Sequence, residues 1–314
     1  MTEKGGAGRM ELLELFNIQG TLFLMILVGA LLKKLGIVDD EGRRCLTDLC
    51  INVVIPCNIV KSCLVGMEPG VLHACAVLLV VALAIQFVSV GLNRFLYKNY
   101  PDQQRKVLQY CTLVSNGGFL GNGVAEGVYG TMGLLYASIY LIPMRIVMWS
   151  AGTSYFVAGQ TDKKKVLRNI ITHPCLVAVY IGMAVMLLQI PLPELVTTTV
   201  TSIGNCNTPL TMFIIGTILV DVKLTTIVNP TTLWISALRL VLLPLAAWGM
   251  SLAAGLEPVA TGVAVIMTGM PAGSTAAIFA ARYGSDAIFA TKCVVLSTLL
   301  SMLTIPVWCY LIGA

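Results

Sequence analysis

Polar and helix-breaking residues interrupt an apolar stretch of the chain between about residues 107 and 128. The segment Ser115–Gly123 contains four glycines and two asparagines within nine residues. Each glycine costs about 1 kcal/mol relative to alanine inside a helix. Non-helical backbone at membrane depth is tolerated only where it is buried in protein or lines a wet cavity. The segment therefore predicts an interrupted helix whose free backbone groups serve a functional site.

A second stretch of the same kind, Thr268–Thr275, contains Gly269, Pro271 and Gly273. An interrupted helix offers N–H groups and a positive dipole end on one side of the break, and carbonyl groups on the other. Such N–H groups, with serine and threonine hydroxyls, can hold an anion, and asparagine amides can donate or accept hydrogen bonds. We therefore expect an anion-binding site formed by Asn116, Gly117, Gly118, Asn122, Pro271, Ala272, Gly273 and Ser274.

Three basic side chains lie at membrane depth, namely Arg145, Arg239 and Lys292. A charge at such depth costs about 3 kcal/mol on insertion scales and marks a pathway or a partner. In a structural interpretation, each arginine caps helix carbonyls or pairs with an acid near a span end, such as Asp48, Glu126 or Asp286. In a functional interpretation, Arg145 or Arg239 attracts a carboxylate, because no acidic residue lies equally deep. The sequence leaves both interpretations open. It also leaves open whether protons or sodium ions are coupled to the function of the site.

The composition is that of an integral membrane protein. Hydrophobic residues make up 57% of the 314 residues, charged residues only 11%, and the mean hydropathy is +0.87, whereas soluble domains carry about 25% charge. The first apolar run continues directly into Lys33 and Lys34, so we expect no cleavable signal peptide. A span needs about 20 apolar residues, which predicts ten helices, at 14–36, 43–64, 71–95, 106–128, 131–157, 172–190, 194–220, 230–254, 257–281 and 286–311.

Basic residues predict the orientation in the membrane. With the amino terminus outside, the inner connections hold fourteen of the twenty lysines and arginines and three lie inside spans, which leaves Lys4, Arg9 and Lys61 outside. This bias favours a multi-pass protein of the plasma membrane, with both termini outside and a cytoplasmic basic loop at 158–171. The net charge of +5 is thus a topology signal, and we expect no nucleic-acid partner.

The basic loop divides the chain into two sets of five spans, 14–157 and 172–314, after an amino-terminal tail at 1–13. Because five is odd, the second set enters the membrane from the opposite side, as in an inverted repeat. Pro56 and Pro209 lie 153 residues apart, and Tyr129-Gly130 and Tyr283-Gly284 lie 154 apart. The latter offset carries Gly117 onto Pro271, so both interruptions fall in the fourth span of their half. Paired interrupted helices indicate the binding site of a transporter.

Motifs of several other protein classes are missing from the sequence. The ten cysteines form no Cys-x-x-Cys pair and the two histidines have no zinc-finger spacing, so we expect no metal and no cofactor. There is no Gly-x-Ser-x-Gly, His-Glu-x-x-His or Walker motif, so the chain is not predicted to be an enzyme and any pumping must be secondary. A ligand-binding membrane sensor, an intramembrane enzyme and a channel are the alternatives.

The run from Asn116 to Gly121, Asn-Gly-Gly-Phe-Leu-Gly, resembles the Asn-Thr-Gly-Phe-x-Gly-x-Pro signature of the auxin efflux carrier family. That family includes bacterial malate and malonate permease-like proteins and the plant PIN-FORMED carriers. Further similar segments extend over nearly the whole chain, at 31–37, 55–56, 208–210, 215–216 and 270–272. One departure concerns the end of the signature, where Asn122 replaces a usual aliphatic residue and Gly123 replaces the proline.

The resemblance implies an all-α membrane fold of ten helices in two inverted five-helix repeats. Helices 4 and 9 would be interrupted and cross at the midplane, with substrate beside them and Asn116 close to it. Helices 1, 2, 6 and 7 would form a scaffold and a homodimer interface, while the remaining helices move as a transport unit, like an elevator. Together with the deep cations, this predicts a secondary transporter of small organic anions, carboxylates foremost. The alternative is a membrane sensor on the same fold.

Overall fold

The computed structural model describes residues 12–64, 70–148, 152–156, 168, 171–172, 174–220 and 226–313. Within these ranges the regular structure is entirely helical, apart from one isolated β-bridge. The prediction of an all-α chain is confirmed to this extent. Most of the predicted tail at 1–13 and of the basic loop at 158–171 lies outside the described residues.

The first half of the chain contains seven helices, several of them joined end to end. They are α1 (Leu12–Lys34), α2 (Asp40–Leu49), α3 (Ile55–Ser62), α4 (Val71–Leu96), α5 (Asp102–Leu113), α6 (Asn122–Val147) and α7 (Thr153–Phe156). Two wide π-helical turns of this half lie wholly within the described residues: Cys50–Val54, which joins α2 to α3, and Gly117–Gly121, which leads into α6.

The second half repeats the pattern of long and interrupted helices. Its members are α8 (Pro174–Leu187), α9 (Glu194–Asn205), α10 (Asn207–Val220), α11 (Pro230–Ala237), α12 (Leu243–Ala253), α13 (Pro258–Thr268), α14 (Thr275–Arg282) and α15 (Ala287–Ile312). A third π-helical turn, Leu238–Leu242, joins α11 to α12. Pro56 and Pro244 each follow such a turn closely, since proline removes one helical hydrogen bond and a widened turn accommodates its ring.

Five helical stretches of the described chain are long and apolar enough to cross a membrane. They are Val71–Leu96, Asn122–Val147, Glu194–Val220, Pro230–Ala253 and Ala287–Ile312. The shorter helices Pro174–Leu187 and Pro258–Thr268 are apolar as well. The structure is thus that of a multi-pass membrane protein.

The helix α6 folds back on itself at Gly130. This residue has φ +62° and ψ −150°, which are not helical values. A Cβ atom built on Gly133 would lie only 2.1 Å from the carbonyl oxygen of Ala125, eight residues earlier. In a straight helix eight residues rise about 12 Å, so the two parts of α6 run antiparallel. The chain therefore reverses between the predicted fourth and fifth spans, and Gly284, with φ +66°, marks the corresponding place in the second half.

The helices pack most densely in two groups. In the first, α1 lies along α10, and α3 lies between α8 and α9. In the second, α13 packs against α6 and α12, α4 against α6, and α15 against α11 and α14. We call these the α1–α10 group and the α6–α13 group. The two groups meet chiefly where α1 meets α15, where α10 meets the turn Gly117–Gly121 and where α3 meets α6.

Two glycines let α1 and α10 approach backbone to backbone. A Cβ on Gly29 would lie 2.2 Å from the carbonyl oxygen of Phe213, and one on Gly216 would lie 2.0 Å from that of Ile26. Small residues are the usual means by which membrane helices come this close, because lipid supplies no hydrophobic force to press them together. The pair makes α1 and α10 a single rigid unit.

We predict that Gly216→Val separates α1 from α10 and destabilises the fold by about 3 kcal/mol, as overpacked contacts do. The expected result is a fall of several degrees in the melting temperature of purified protein in detergent. Gly91→Val in α4 is the matched control, because a Cβ on Gly91 meets nothing within 4 Å. Equal melting temperatures for the two variants would contradict the close approach.

Candidate functional site

The two interrupted helices meet at their breaks and pair through their backbones. Ser115 and Ala272 form an antiparallel β-bridge. The backbone N–H of Asn116 donates to the carbonyl oxygen of Pro271 at 2.7 Å, and the backbone N–H of Gly273 donates to the carbonyl oxygen of Val114 at 2.9 Å. Each break therefore satisfies groups that the other leaves without a helical partner, as burial in an apolar environment requires.

Arg239 binds the carbonyl ends of both half-helices that lead into the breaks. Its Nη1 donates to the carbonyl oxygen of Thr112 at 2.9 Å, next to the end of α5. Its Nη2 donates to the carbonyl oxygens of Thr268 at 3.1 Å and Met270 at 3.2 Å, at the end of α13. Helix carboxyl ends carry unpaired carbonyls and partial negative charge, both of which attract a cation. These contacts agree with the structural interpretation of this arginine.

A cavity lies beside the paired breaks. Its volume is about 70 Å³, and it is partly open to the surroundings. Met148, which directly follows α6, and Cys175, at the start of α8, both line it. The lining residues are Ile51, Ile55, Val114, Ser115, Asn116, Gly118, Met144, Arg145, Met148, Cys175, Gly273, Ser274 and Thr275.

Arg145 and Asn116 are the polar groups of this cavity whose hydrogen bonds are not satisfied by the described residues. Arg145 is 4% exposed, and neither Nη1 nor Nη2 has a partner there. Asn116 is 2% exposed, and the same holds for both atoms of its amide. An unpaired buried charge is costly, and a buried polar group normally has a hydrogen-bond partner. The cavity thus offers one cation and one amide to an anionic ligand.

Comparison with known proteins gives the class to which this arrangement belongs. The family of membrane transport proteins matches residues 20–309. The chain belongs to this family. The resemblance to the auxin efflux carriers, drawn from the segment after Ser115, is thereby confirmed.

Two archaeal proteins are similar to this chain over most of its length. A protein named as an uncharacterized transporter in Methanothermobacter thermautotrophicus is 26% identical over 291 residues, which are 92% of this chain and 95% of that protein. An uncharacterized transporter of Methanocaldococcus jannaschii is 21% identical over 298 residues, which are 91% of this chain and 95% of that protein.

The signature region of this membrane transport protein brings most of the sequence-predicted site residues together. Asn116, Gly118, Gly273, Ser274 and Arg145 all line the cavity. Pro271 and Ala272 take part in the pairing of the breaks. Gly117 faces the protein interior, because a Cβ there would lie 2.7 Å from Leu141. Arg239 lies behind the breaks.

Asn122 lies outside the lining of the cavity. It begins α6, is 0% exposed, and neither atom of its amide has a partner among the described residues. The sequence placed it with Asn116 because only six positions separate them. The intervening turn, Gly117–Gly121, carries it to the other side of the break.

Sequence reasoning did not identify the apolar part of the cavity as a site. Ile51 and Ile55 come from the end of the first π-turn and the start of α3, Met144 and Met148 from the end of α6, and Cys175 from α8. The only signal was Ile55-Pro56, which appeared as a similarity to the family rather than as a lining group. Apolar residues of spans look alike whether they face lipid, protein or ligand.

The two deep arginines allow a paired prediction on stability. Arg239→Met removes three hydrogen bonds to buried carbonyls and is expected to cost about 3–5 kcal/mol, seen as a melting temperature lower by about 10 °C. Arg145→Met removes a buried cation whose Nη1 and Nη2 have no partner among the described residues, so we expect an unchanged or higher melting temperature. The measurement is thermal unfolding of both variants in the same detergent. A larger loss in Arg145→Met than in Arg239→Met would contradict these assignments.

Proposed function

We propose that this membrane transport protein is a secondary active transporter of small organic anions, and of carboxylates in particular. The observation that carries the proposal is the guanidinium group of Arg145, which is buried beside the crossing of the interrupted helices without a partner for its terminal nitrogens. Asn116, from the family signature, lies in the same cavity. Among the described residues no carboxylate side chain lines that cavity, so the charge of Arg145 is available to a ligand.

The chemistry of these groups suits a carboxylate. A guanidinium binds the two oxygens of a carboxylate through parallel N–H donors, and charge-assisted bonds of this kind are roughly twice as strong as neutral ones. The amide of Asn116 and the hydroxyl of Ser274 can donate to the same group or to a second polar group of the substrate. The apolar lining from Ile51, Ile55 and Met144 takes the hydrocarbon part of the molecule. A ligand with one negative charge neutralises the site.

We further propose that the helices form ten spans in two inverted repeats of five. In order, the spans would be α1, α2–α3, α4, α5 with the first part of α6, the second part of α6, α8, α9–α10, α11–α12, α13–α14, and α15. The reversal at Gly130 and the pairing of the breaks support this division. Both breaks then fall in the fourth span of a repeat. The distribution of basic residues supports two outer termini in the plasma membrane.

The division into two packed groups supports an elevator-like movement. The α1–α10 group would be the scaffold and, through its exposed apolar faces, the homodimer interface in the bilayer. The α6–α13 group holds the paired breaks, Arg239 and Arg145, and would carry the substrate across as one body. Such a displacement would leave the contacts within each group in place and exchange those between the groups, where α1 meets α15, α10 meets the turn Gly117–Gly121 and α3 meets α6. No cofactor, metal or nucleic acid enters this proposal.

The site is tested by uptake into proteoliposomes. We predict that Asn116→Ala abolishes carboxylate uptake and that Arg145→Gln does the same, while both variants still insert and retain wild-type melting temperatures. Asn52→Ala is the matched control for Asn116, because that asparagine is exposed and donates only to the carbonyl oxygen of Asp48. Uptake by Asn116→Ala at the wild-type rate would refute the site.

A thermal-shift screen tests the substrate class. We expect mono- and dicarboxylates to raise the melting temperature of the purified protein and Arg145→Gln to remove this effect, because ligands stabilise the state that binds them. Stabilisation by neutral or cationic solutes alone would refute the anion assignment. Counterflow in sealed vesicles then separates a carrier from a channel, and binding without counterflow would favour the membrane sensor.

A further inference from the structure

A second polar cluster lies on the side of the break away from the cavity, where three helices converge. Lys61 at the end of α3 donates through its Nζ to Oε1 of Glu126 on α6, at 2.7 Å. The same nitrogen donates to Oδ1 of Asn205, at the end of α9, at 2.8 Å. Lys61 and Asn205 belong to the α1–α10 group and Glu126 to the α6–α13 group. This lysine therefore links the two groups.

Two asparagines of this cluster are buried without hydrogen bonds from their amides. Asn122 lies one turn before Glu126 on α6, and Asn207 begins α10, two residues after Asn205. They are 0% and 1% exposed, and all four of their amide atoms have no partner in the part of the chain that the structure describes. Buried amides are normally paired, so two such residues in one region call for an explanation.

The starts of α6 and α10 are in direct contact, which brings these two asparagines into one region. A Cβ on Gly123 would lie 2.9 Å from the hydroxyl oxygen of Thr208. Gly123 follows Asn122 and Thr208 follows Asn207. The cavity beside Arg145 reaches along this segment only to Gly118, so the turn at Gly117–Gly121 separates the two regions.

We propose that Lys61, Asn122 and Asn207 form a second anion-binding position, which receives the carboxylate on the side of the membrane opposite to the cavity. The charge of Lys61 is balanced here by Glu126; when the two separate, Lys61 and the amide NH2 groups offer a positive charge and donors to an anion. In the arrangement seen here, Glu126 and Asn205 accept the hydrogen bonds of Lys61. As the α1–α10 and α6–α13 groups separate, an entering carboxylate takes the place of the Glu126 carboxylate as acceptor of the Lys61 hydrogen bond. It also accepts hydrogen bonds from the side-chain amides of Asn122 and Asn207. This inference rests on the proposed transport function.

The test compares uptake from the two sides of proteoliposomes with oriented protein. Lys61 ends the second span, so its position opens towards the side of the amino terminus. The probe is labelled malate or, where wild type does not carry it, the carboxylate with the largest thermal shift. We expect Lys61→Gln and Asn207→Leu each to raise KM about tenfold or more for substrate added on that side, the loss expected for one charged or buried hydrogen bond. On the other side KM should change less than about twofold.

Glu126→Gln provides the opposite expectation, because it removes the competitor of the substrate for Lys61. We expect its KM on the side of the amino terminus to fall, with no change on the other side. Lys106→Gln is the matched control, since Lys106 is also an ion-paired lysine, 2.8 Å from Asp102, but lies away from the cluster. It should leave both KM values at the wild-type level.

The possible results separate this inference from the proposed function. Unchanged KM values in Lys61→Gln and Asn207→Leu, equal changes on both sides, or a higher KM in Glu126→Gln would overturn the second position and leave the cavity intact. If wild type carries no carboxylate, or Arg145→Gln transports normally, the proposed function fails and the second position fails with it. If Lys61→Gln does not fold, Asn207→Leu and Glu126→Gln decide between the outcomes.

Discussion

The structure depends on one constraint, which is that backbone groups at membrane depth need partners within the protein. Two helices are interrupted, after Leu113 and after Thr268, and each break supplies hydrogen bonds that the other lacks. The Ser115–Ala272 bridge joins the breaks, and Arg239 binds the carbonyl ends of the helices that precede them. Neither break could be buried alone, so the paired breaks position everything else at the site.

The two buried arginines show how neighbours determine what one residue type does. Arg239 has its charge spread over three carbonyl oxygens and serves as an internal cap. Arg145, at similar burial, has terminal nitrogens without a partner among the described residues and faces a cavity. A buried guanidinium whose terminal nitrogens donate to carbonyl groups is part of the fold, whereas one whose terminal nitrogens have no partner among the described residues attracts an anion. The proposed function follows from this difference rather than from the number of deep charges.

Much of the fold could be predicted from the sequence, because helix-breaking residues at a constant offset identified both interruptions. The offset matched Gly117 to Pro271, while the structure pairs Ser115 with Ala272, since a repeat offset relates equivalent residues and not touching ones. The sequence indicated that both arginines are buried but could not assign their partners, because those come from distant helices. Asn122 lies outside the cavity lining because a turn separates it in space from Asn116.

The contrast between contacts inside and between the helix groups determines where this protein can move. Within the α1–α10 group, Gly29 and Gly216 bring two backbones into contact, and no displacement is possible there without separating the helices. Between the groups, the contacts include the Lys61–Glu126 pair and side chains such as Asn122, whose amide bonds are unsatisfied by the described residues. The hydrogen bonds of the Lys61–Glu126 pair can be exchanged for bonds to water or to an anion at modest net cost. The proposed relative shift of the groups would therefore follow the polar boundary between them. The paired breaks, which lie within one group, would travel without being disrupted.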